Sequence, residues 1–165
     1  MKPLVLRLRQ LYKRFFAAVD YLHSPFLLAV RLYWGWQLVQ SGWGKLHNLP
    51  KVTDFFTSLN LPMPAQMAVF ISCVEIFGGI FLALGLLSRL TALGLAVNML
   101  MAYVTADREA LLSVFSDPDK FSAAAPYTFL TASLIVLVFG PGKFALDTLL
   151  DRTLAPKDTD PPVPR

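Results

Sequence analysis

The chain has very few of the residues from which redox and metal centres are usually built. Its 165 residues include one cysteine, Cys73, and two histidines, His23 and His47. A single cysteine excludes a dithiol redox motif. The two histidines stand at opposite ends of one apolar segment, so they cannot hold one haem between them. We therefore predict no haem, metal or dithiol site within the chain, and whether it is an enzyme stays open.

Familiar catalytic and nucleotide-binding motifs are missing as well. The sequence has no phosphate-binding loop, no dinucleotide-binding glycine fingerprint and no nucleophile elbow. Packing explains the methionines in and beside the apolar segments better than copper binding does; these are Met63, Met67, Met99 and Met101. The sequence thus predicts a protein without an intrinsic cofactor.

Charge is scarce too. Only 16% of the residues are charged and 55% are hydrophobic, whereas a soluble domain usually has about 25% charged residues. The apolar residues fall in four blocks, each near the 17–25 residues that cross about 30 Å of hydrocarbon: 24–44, 65–87, 89–106 and 125–140. A soluble bundle would need polar faces on these segments, and they lack them. We predict an all-α domain over residues 24–150, a bundle of four transmembrane helices.

The first 23 residues differ from a signal sequence because basic residues are spread through them. Leucines and aromatics recur between these at helical spacing; the basic residues are Lys2, Arg7, Arg9, Lys13 and Arg14. The pattern predicts a basic amphipathic helix over 1–23 on an anionic membrane surface, with a frayed basic tail as the alternative. Ser24 and Pro25 predict the cap and first turn of a new helix.

The distribution of lysine and arginine predicts the orientation. Four spans place both termini on one side, which then holds ten of these residues outside the spans, against four on the other side. We therefore predict a multi-pass membrane protein with both termini in the cytoplasm. The bilayer explains the basic residues, so no nucleic-acid partner is predicted.

Three further segments lie outside the spans. Apolar stripes in the two longer loops predict short interfacial helices near residues 52–59 and 109–115. The tail over 151–165 is charged and rich in proline towards its end, a composition that predicts disorder.

Three of the predicted spans carry a polar side chain near mid-depth. At about 1.5 Å per residue, Glu75 lies roughly 15 Å below the outer surface and Arg31 roughly 10 Å above the inner one, while Asn98 lies near the middle of its span. An ionisable group at this depth is costly and is a functional hypothesis by default. We predict a buried Arg31–Glu75 pair, the candidate catalytic groups, with Asn98 beside it. The alternative is that these groups only fix helix register.

Small residues lie on the same helix faces as these polar side chains. Glycines follow Glu75 by three and four positions and follow Arg31 by four, and small residues let membrane helices approach closely. The predicted ligand-binding or polar-core set is Trp34, Lys45, Gly78, Gly79 and Asn98.

Eight short pieces of the sequence stand in a specific order and spacing: Arg31–Leu32 with Gly35, Gly42–Lys45, Leu61–Pro64, Glu75, Gly78–Gly79, Leu84–Leu93, Met99 with Ala102, and Gly140–Asp147. Together they cover about residues 26–150 and resemble the DoxX family of small bacterial membrane proteins. Members often have a histidine before the glycine that ends the first span, and here Ser41 takes that position. Any role that rests on that histidine is therefore in doubt.

The resemblance implies a four-helix membrane bundle, recurrent positions at Arg31, Lys45, Glu75 and Arg89, and a link to quinol oxidase, thiosulfate:quinone or redox-stress complexes. One interpretation is a redox-associated subunit that binds a quinone or similar lipophile. Arg31 or Lys45 would then hydrogen-bond a carbonyl, and Glu75 would exchange a proton. The alternatives are a non-catalytic membrane module that recruits a partner, such as a redox enzyme, and a transporter of small solutes or protons.

Overall fold

A computed structural model describes the backbone of residues 2–154, and their side chains except at 2–8, 17, 18, 20, 152 and 154. This part of the chain folds entirely into helices and turns, which confirms the predicted all-α class. The helices are α1 (Lys2–His47), α2 (Leu49–Ser58), α3 (Pro64–Leu84), α4 (Ser88–Thr105), α5 (Arg108–Leu112), α6 (Pro118–Ala123), α7 (Pro126–Phe139) and α8 (Leu146–Leu154). The predicted disorder over 155–165 lies outside the described residues.

Four longer helices, α1, α3, α4 and α7, pack side by side, with α1 against α3 and α4 against α7. The short helices α2, α5 and α6 lie at one end of this bundle, called here the loop end. The turn between α3 and α4 and the loop after α7 lie at the other, called here the terminal end. The core between the helices is apolar, with Leu38, Leu82, Leu95 and Val136 all buried.

The predicted helix start at Ser24 is wrong, because α1 runs without interruption through Pro25. A proline inside a helix removes one backbone hydrogen bond and usually kinks or ends the helix. Here the Ser24 hydroxyl does not cap a new helix. It accepts a hydrogen bond from the backbone N–H of Lys143, at 3.3 Å, and so ties α1 to the loop after α7. The interfacial position of residues 1–23 stays a prediction.

Two of the described helices are long and apolar enough to cross a membrane, residues 9–47 of α1 and the whole of α3. Helix α7 is apolar but has 14 residues, about 21 Å at 1.5 Å per residue. Helix α4 has 18 residues, and polar side chains such as Arg89 and Asn98 lower its hydropathy. Helices α3, α4 and α7 begin and end within three residues of the predicted blocks.

The short helices differ more from expectation. The stripe near 52–59 falls in α2 up to Ser58, whereas α5 covers only the first half of the stripe near 109–115 and ends at Leu112. Helices α6 and α8 were not predicted. The polar tail was predicted to begin at residue 151, but α8 continues to Leu154. The spacing of Leu146, Leu149 and Leu150 was the available signal, since apolar residues at i, i+3 and i+4 are typical of an amphipathic helix.

Helices α1 and α3 touch through their backbones. A Cβ atom added to Gly35 would lie 2.7 Å from the carbonyl oxygen of Gly79, and one added to Gly79 would lie 2.6 Å from that of Gly35. A Cβ on Gly42 would lie 2.6 Å from the carbonyl oxygen of Ser72. These contacts set the register of the two antiparallel helices and decide which residues of α1 face Glu75.

Candidate functional site

A cavity of about 620 Å³ lies at the loop end, between α1, α2, α3, α4 and the start of α7. Its walls are mostly apolar and include Val52, Phe55, Phe56, Leu59, Met67, Ile71, Met99 and Phe129. Its polar lining includes Ser41, Lys45, Lys51, Glu75, Asn98, Thr105 and Asp107. The combination of apolar walls with a few convergent polar groups is typical of a small-molecule site.

Glu75 is the most buried ionisable group of the cavity, with 3% of its surface exposed. The Lys45 ammonium forms a salt bridge with its Oε1 atom, and the Ser41 hydroxyl donates to Oε2 at 2.9 Å. Both carboxylate oxygens are therefore engaged. Lys45 lies near the end of α1, one third exposed, and its long side chain lets the charged head reach Glu75 while the stem lies along apolar surface.

The predicted Arg31–Glu75 pair is not present. Arg31 is fully buried at the terminal end, where its Nη2 donates to the Phe144 carbonyl at 2.7 Å. It packs against Gly85, which lies ten residues beyond Glu75, or about 15 Å along α3. The register set by Gly35 and Gly79 places the last turns of α1 opposite Glu75, so the cation that reaches the carboxylate is Lys45.

Arg31 belongs to a separate polar network that holds the loop after α7 to the turn between α3 and α4. The Asp147 carboxylate accepts hydrogen bonds from the backbone N–H groups of Leu87 and Ser88, both at 2.7 Å. The backbone N–H of Asp147 donates to Gly85 at 3.0 Å. Leu87 has a φ angle of 46°, an uncommon left-handed conformation for leucine, and the bond from its N–H to Asp147 stabilises it.

The Asp147 carboxylate is the negatively charged group of this network. Burial raises its pKa, but the hydrogen bonds from Ser88 and Leu87 and the charge of Arg31 outweigh the burial. The pKa of Asp147 therefore lies below its ordinary value, and the group caps the first turn of α4 as an anion.

The variant Asp147→Asn is expected to melt several degrees below the wild type near neutral pH. A carboxyl with a lowered pKa stabilises the fold above its ordinary pKa, and this contribution is lost as the pH falls through the folded-state value. The gap between the two melting temperatures should therefore shrink from about pH 6 to about pH 3. Thermal unfolding in detergent measures it, with Asp151→Asn on the same helix as the control. A gap that is independent of pH would contradict the assigned role.

The other predicted site residues divide into two groups. Asn98 lines the cavity from α4, alongside Glu75 and Lys45. Trp34 packs edge-on against Phe129, with ring centroids 5.9 Å apart, and so stands behind the cavity wall. A Cβ on Gly78 would lie 2.7 Å from a Leu95 methyl group. Gly78 and Gly79 therefore serve helix packing in this structure.

The sequence analysis missed the role of Ser41 and the aromatic wall of the cavity. Ser41 lies four residues before Lys45, on the same face of α1, and this spacing was a usable signal. The α2 stripe was interpreted as interfacial, but Phe55 and Phe56 line the cavity. Phe129 lies in an apolar block without a pattern that marks it.

The cavity ends at the level of Glu75. Beyond it, towards Arg31, the backbones of Gly35 and Gly79 meet, and Leu38 and Leu82 are at most 1% exposed. The cavity therefore does not extend to the terminal end, and the Arg31 network lies behind a packed layer.

Comparison with known protein families identifies the family of the chain. The family model described as DoxX matches residues 26–108, half of the 165-residue chain. No curated protein and no solved structure matches the chain. The matched region holds most of the cavity, including Lys45, Glu75 and Asn98. The chain therefore belongs to the DoxX family, as its sequence pieces predicted, and this membership marks it as a membrane protein.

Proposed function

We propose that this protein binds a quinone or a similar lipophile in the loop-end cavity, as the membrane subunit of a redox system. One observation carries the proposal: the buried Glu75 carboxylate, paired with the partly exposed Lys45, stands at the closed end of a large, mostly apolar cavity. An ion pair at that position costs desolvation energy that helix packing alone does not require. A lipophile with a polar head would place the head at the pair and its apolar part along the walls.

Each polar side chain at the closed end has a distinct role in this proposal. The Lys45 ammonium has three N–H donors, and those not used by Glu75 are free to donate to a ligand carbonyl. Glu75 exchanges a proton with the bound head group, and Ser41 orients its carboxylate. Arg31, the other donor considered from the sequence, lies at the terminal end and takes no part. A partner redox enzyme exchanges the electrons.

The proposal places the bundle across a bacterial inner membrane with four spans, α1, α3, α4 and α7. Large apolar side chains stand exposed on all four helices, including Leu32, Phe77, Leu93 and Val138. Such extensive apolar surface marks contact with a membrane or a partner. The excess of lysine and arginine at the terminal end supports a cytoplasmic position for both termini.

Native mass spectrometry of the protein in mild detergent, with lipid extraction, tests the proposal. Wild-type protein should carry a quinone or another lipophile, and Glu75→Gln should lose most of it. Lys45→Met is the second variant, in case the first folds poorly, and Glu109→Gln, at an exposed carboxylate in α5, is the control. A folded wild-type protein that carries no bound small molecule would contradict the proposal.

A second function, recruitment of a partner without ligand chemistry, is favoured by the first half of α1. There the side chains of Tyr12, Phe15 and Leu22 are each more than 60% exposed beyond the bundle. This function predicts the opposite mass spectrum, with no ligand in any variant. Transport has less support, because the cavity ends at Glu75.

A further inference from the structure

Asn98 lines the same cavity from α4 and makes no side-chain hydrogen bond to any group in the described part of the chain. Thr105, further along the same wall, differs, because its hydroxyl already donates to the Met101 carbonyl at 2.8 Å. Asn98 is half-buried, and an occupant that covers its amide would have to supply a hydrogen-bond partner or leave a desolvated polar group unpaired, which costs free energy. Asn98 is therefore placed to meet a polar atom of that occupant.

The polar groups of the cavity come from different helices. Lys45 belongs to α1 and Glu75 to α3, whereas Asn98 belongs to α4. Lys45 and Glu75 already bond each other, and Asn98 bonds neither. The cavity therefore has the Lys45–Glu75 pair and the Asn98 amide as polar groups that are not bonded to each other, while Lys51, Thr105 and Asp107 line it as well.

We infer that the ligand carries two separate oxygen atoms, one at the Lys45–Glu75 pair and the other at Asn98. This inference rests on the proposed function, because it specifies what the same cavity binds. It also makes Asn98 a specificity-determining residue, which selects against lipophiles with a single polar group such as a long-chain alcohol or phenol. A site built to hydrogen-bond a given group rejects analogues that lack it.

Each polar position offers both a donor and an acceptor. Lys45 donates and Glu75 accepts, while the amide of Asn98 donates through Nδ2 and accepts through Oδ1. A quinone presents two carbonyl acceptors, and the corresponding hydroquinone presents two hydroxyl groups that also donate. The same three side chains can therefore hold both forms, and the site fits a ligand that exists in both.

Tryptophan fluorescence provides the test, because Trp34 contacts Phe129 in the cavity wall. The chain has three tryptophans, and the other two, Trp36 and Trp43, are more than half exposed. A background with both changed to phenylalanine leaves Trp34 as the reporter. Quenching by a decyl-benzoquinone then measures binding, and a decylphenol and decylbenzene compete as probes with one and no polar group.

The quinone is expected to bind about tenfold more tightly than the phenol, the effect of roughly one net hydrogen bond. Asn98→Leu should weaken quinone binding about tenfold and bring it level with the phenol. Asn98→Ala is the second variant if leucine does not fit. Thr91→Val lies on the same helix but outside this cavity, and its hydroxyl donates to the Leu86 carbonyl. It should leave the ratio unchanged and is the control.

The outcomes separate the inference from the proposed function. If the quinone binds the wild type and the Asn98 variants equally well, the inference is overturned and quinone binding stands. If the quinone and the phenol bind the wild type equally, the inference is also overturned. If no probe binds to folded wild-type protein, the proposed function itself fails.

Discussion

Replacing Gly79 with alanine is expected to prevent the protein from reaching its folded state in useful yield. The added Cβ would stand 2.6 Å from the backbone oxygen of Gly35 and 3.0 Å from the Leu38 Cβ. Overpacking usually costs about 1–3 kcal/mol, and here the obstacle is backbone rather than a flexible side chain. We expect a cost at or above the top of that range, and Gly35→Ala should behave in the same way.

Two other helical glycines provide the control. A Cβ on Gly44 or Gly94 would meet no atom within 4 Å. Alanine is favoured over glycine inside a helix by about 0.5–1 kcal/mol, so Gly94→Ala should be neutral or slightly stabilising. Yield of monodisperse protein and the thermal midpoint in detergent measure both effects. If Gly79→Ala melted like the wild type, the register of α1 against α3 described here would be wrong. The Lys45–Glu75 pair, which depends on that register, would then be wrong as well.

The bounds of α3, α4 and α7 could be predicted from the sequence because long apolar blocks end at residues that end helices. Gly85 has a φ angle of 68°, and the N–H groups of Gly85 and Leu86 bond back to Leu82 and Phe81, as in a Schellman motif. Pro64 and Pro126 each stand in the first turn of a helix, where proline is favoured. Such local chemistry is visible in the sequence.

The pairing of the polar residues could not be predicted in the same way. Counting residues from the ends of the apolar blocks gave Arg31 and Glu75 membrane depths that differ by only roughly 5 Å. The true register depends on the Gly35–Gly79 contact between residues far apart in the chain. The predicted pair also joined Glu75 to Arg31 and not to Lys45, although a lysine near a helix end can extend its head a long way.

The cavity could not be predicted from the sequence for a further reason. The spacing of Val52, Phe55, Phe56 and Leu59 shows that α2 has an apolar face, but not what that face covers. Facing a bilayer and facing a cavity require the same pattern. The choice depends on how the short connections at His47–Leu49 and Leu59–Pro64 fold, and that is a matter of tertiary packing.

A photoreactive quinone is expected to label the protein mainly at the walls of the loop-end cavity. An azido-benzoquinone with a decyl tail, irradiated with the protein in detergent, should label the α2 stripe at residues 52–59 and the cavity face of α4 at residues 98–106. These segments line the cavity whose closed end carries Lys45 and Glu75. Labelling of other segments should be weak, since binding holds the quinone ring against the walls of this cavity.

The shallow apolar groove between α3 and α4 serves as the internal control. It is lined by residues such as Phe70, Phe77 and Gly94 and has no charged side chain to hold a head group. Label there should be low and should not change when unlabelled quinone is added in excess. Label in the cavity should disappear under the same competition and in Glu75→Gln.

Peptide mapping of that photolabelled protein is the most direct test that the cavity binds a quinone-like lipophile at Lys45 and Glu75. Our account predicts competable label concentrated in residues 52–59 and 98–106. It would be contradicted by label that resists competition and spreads over the lipid-facing side chains, or by competable label near Gly85 and Phe144 at the terminal end.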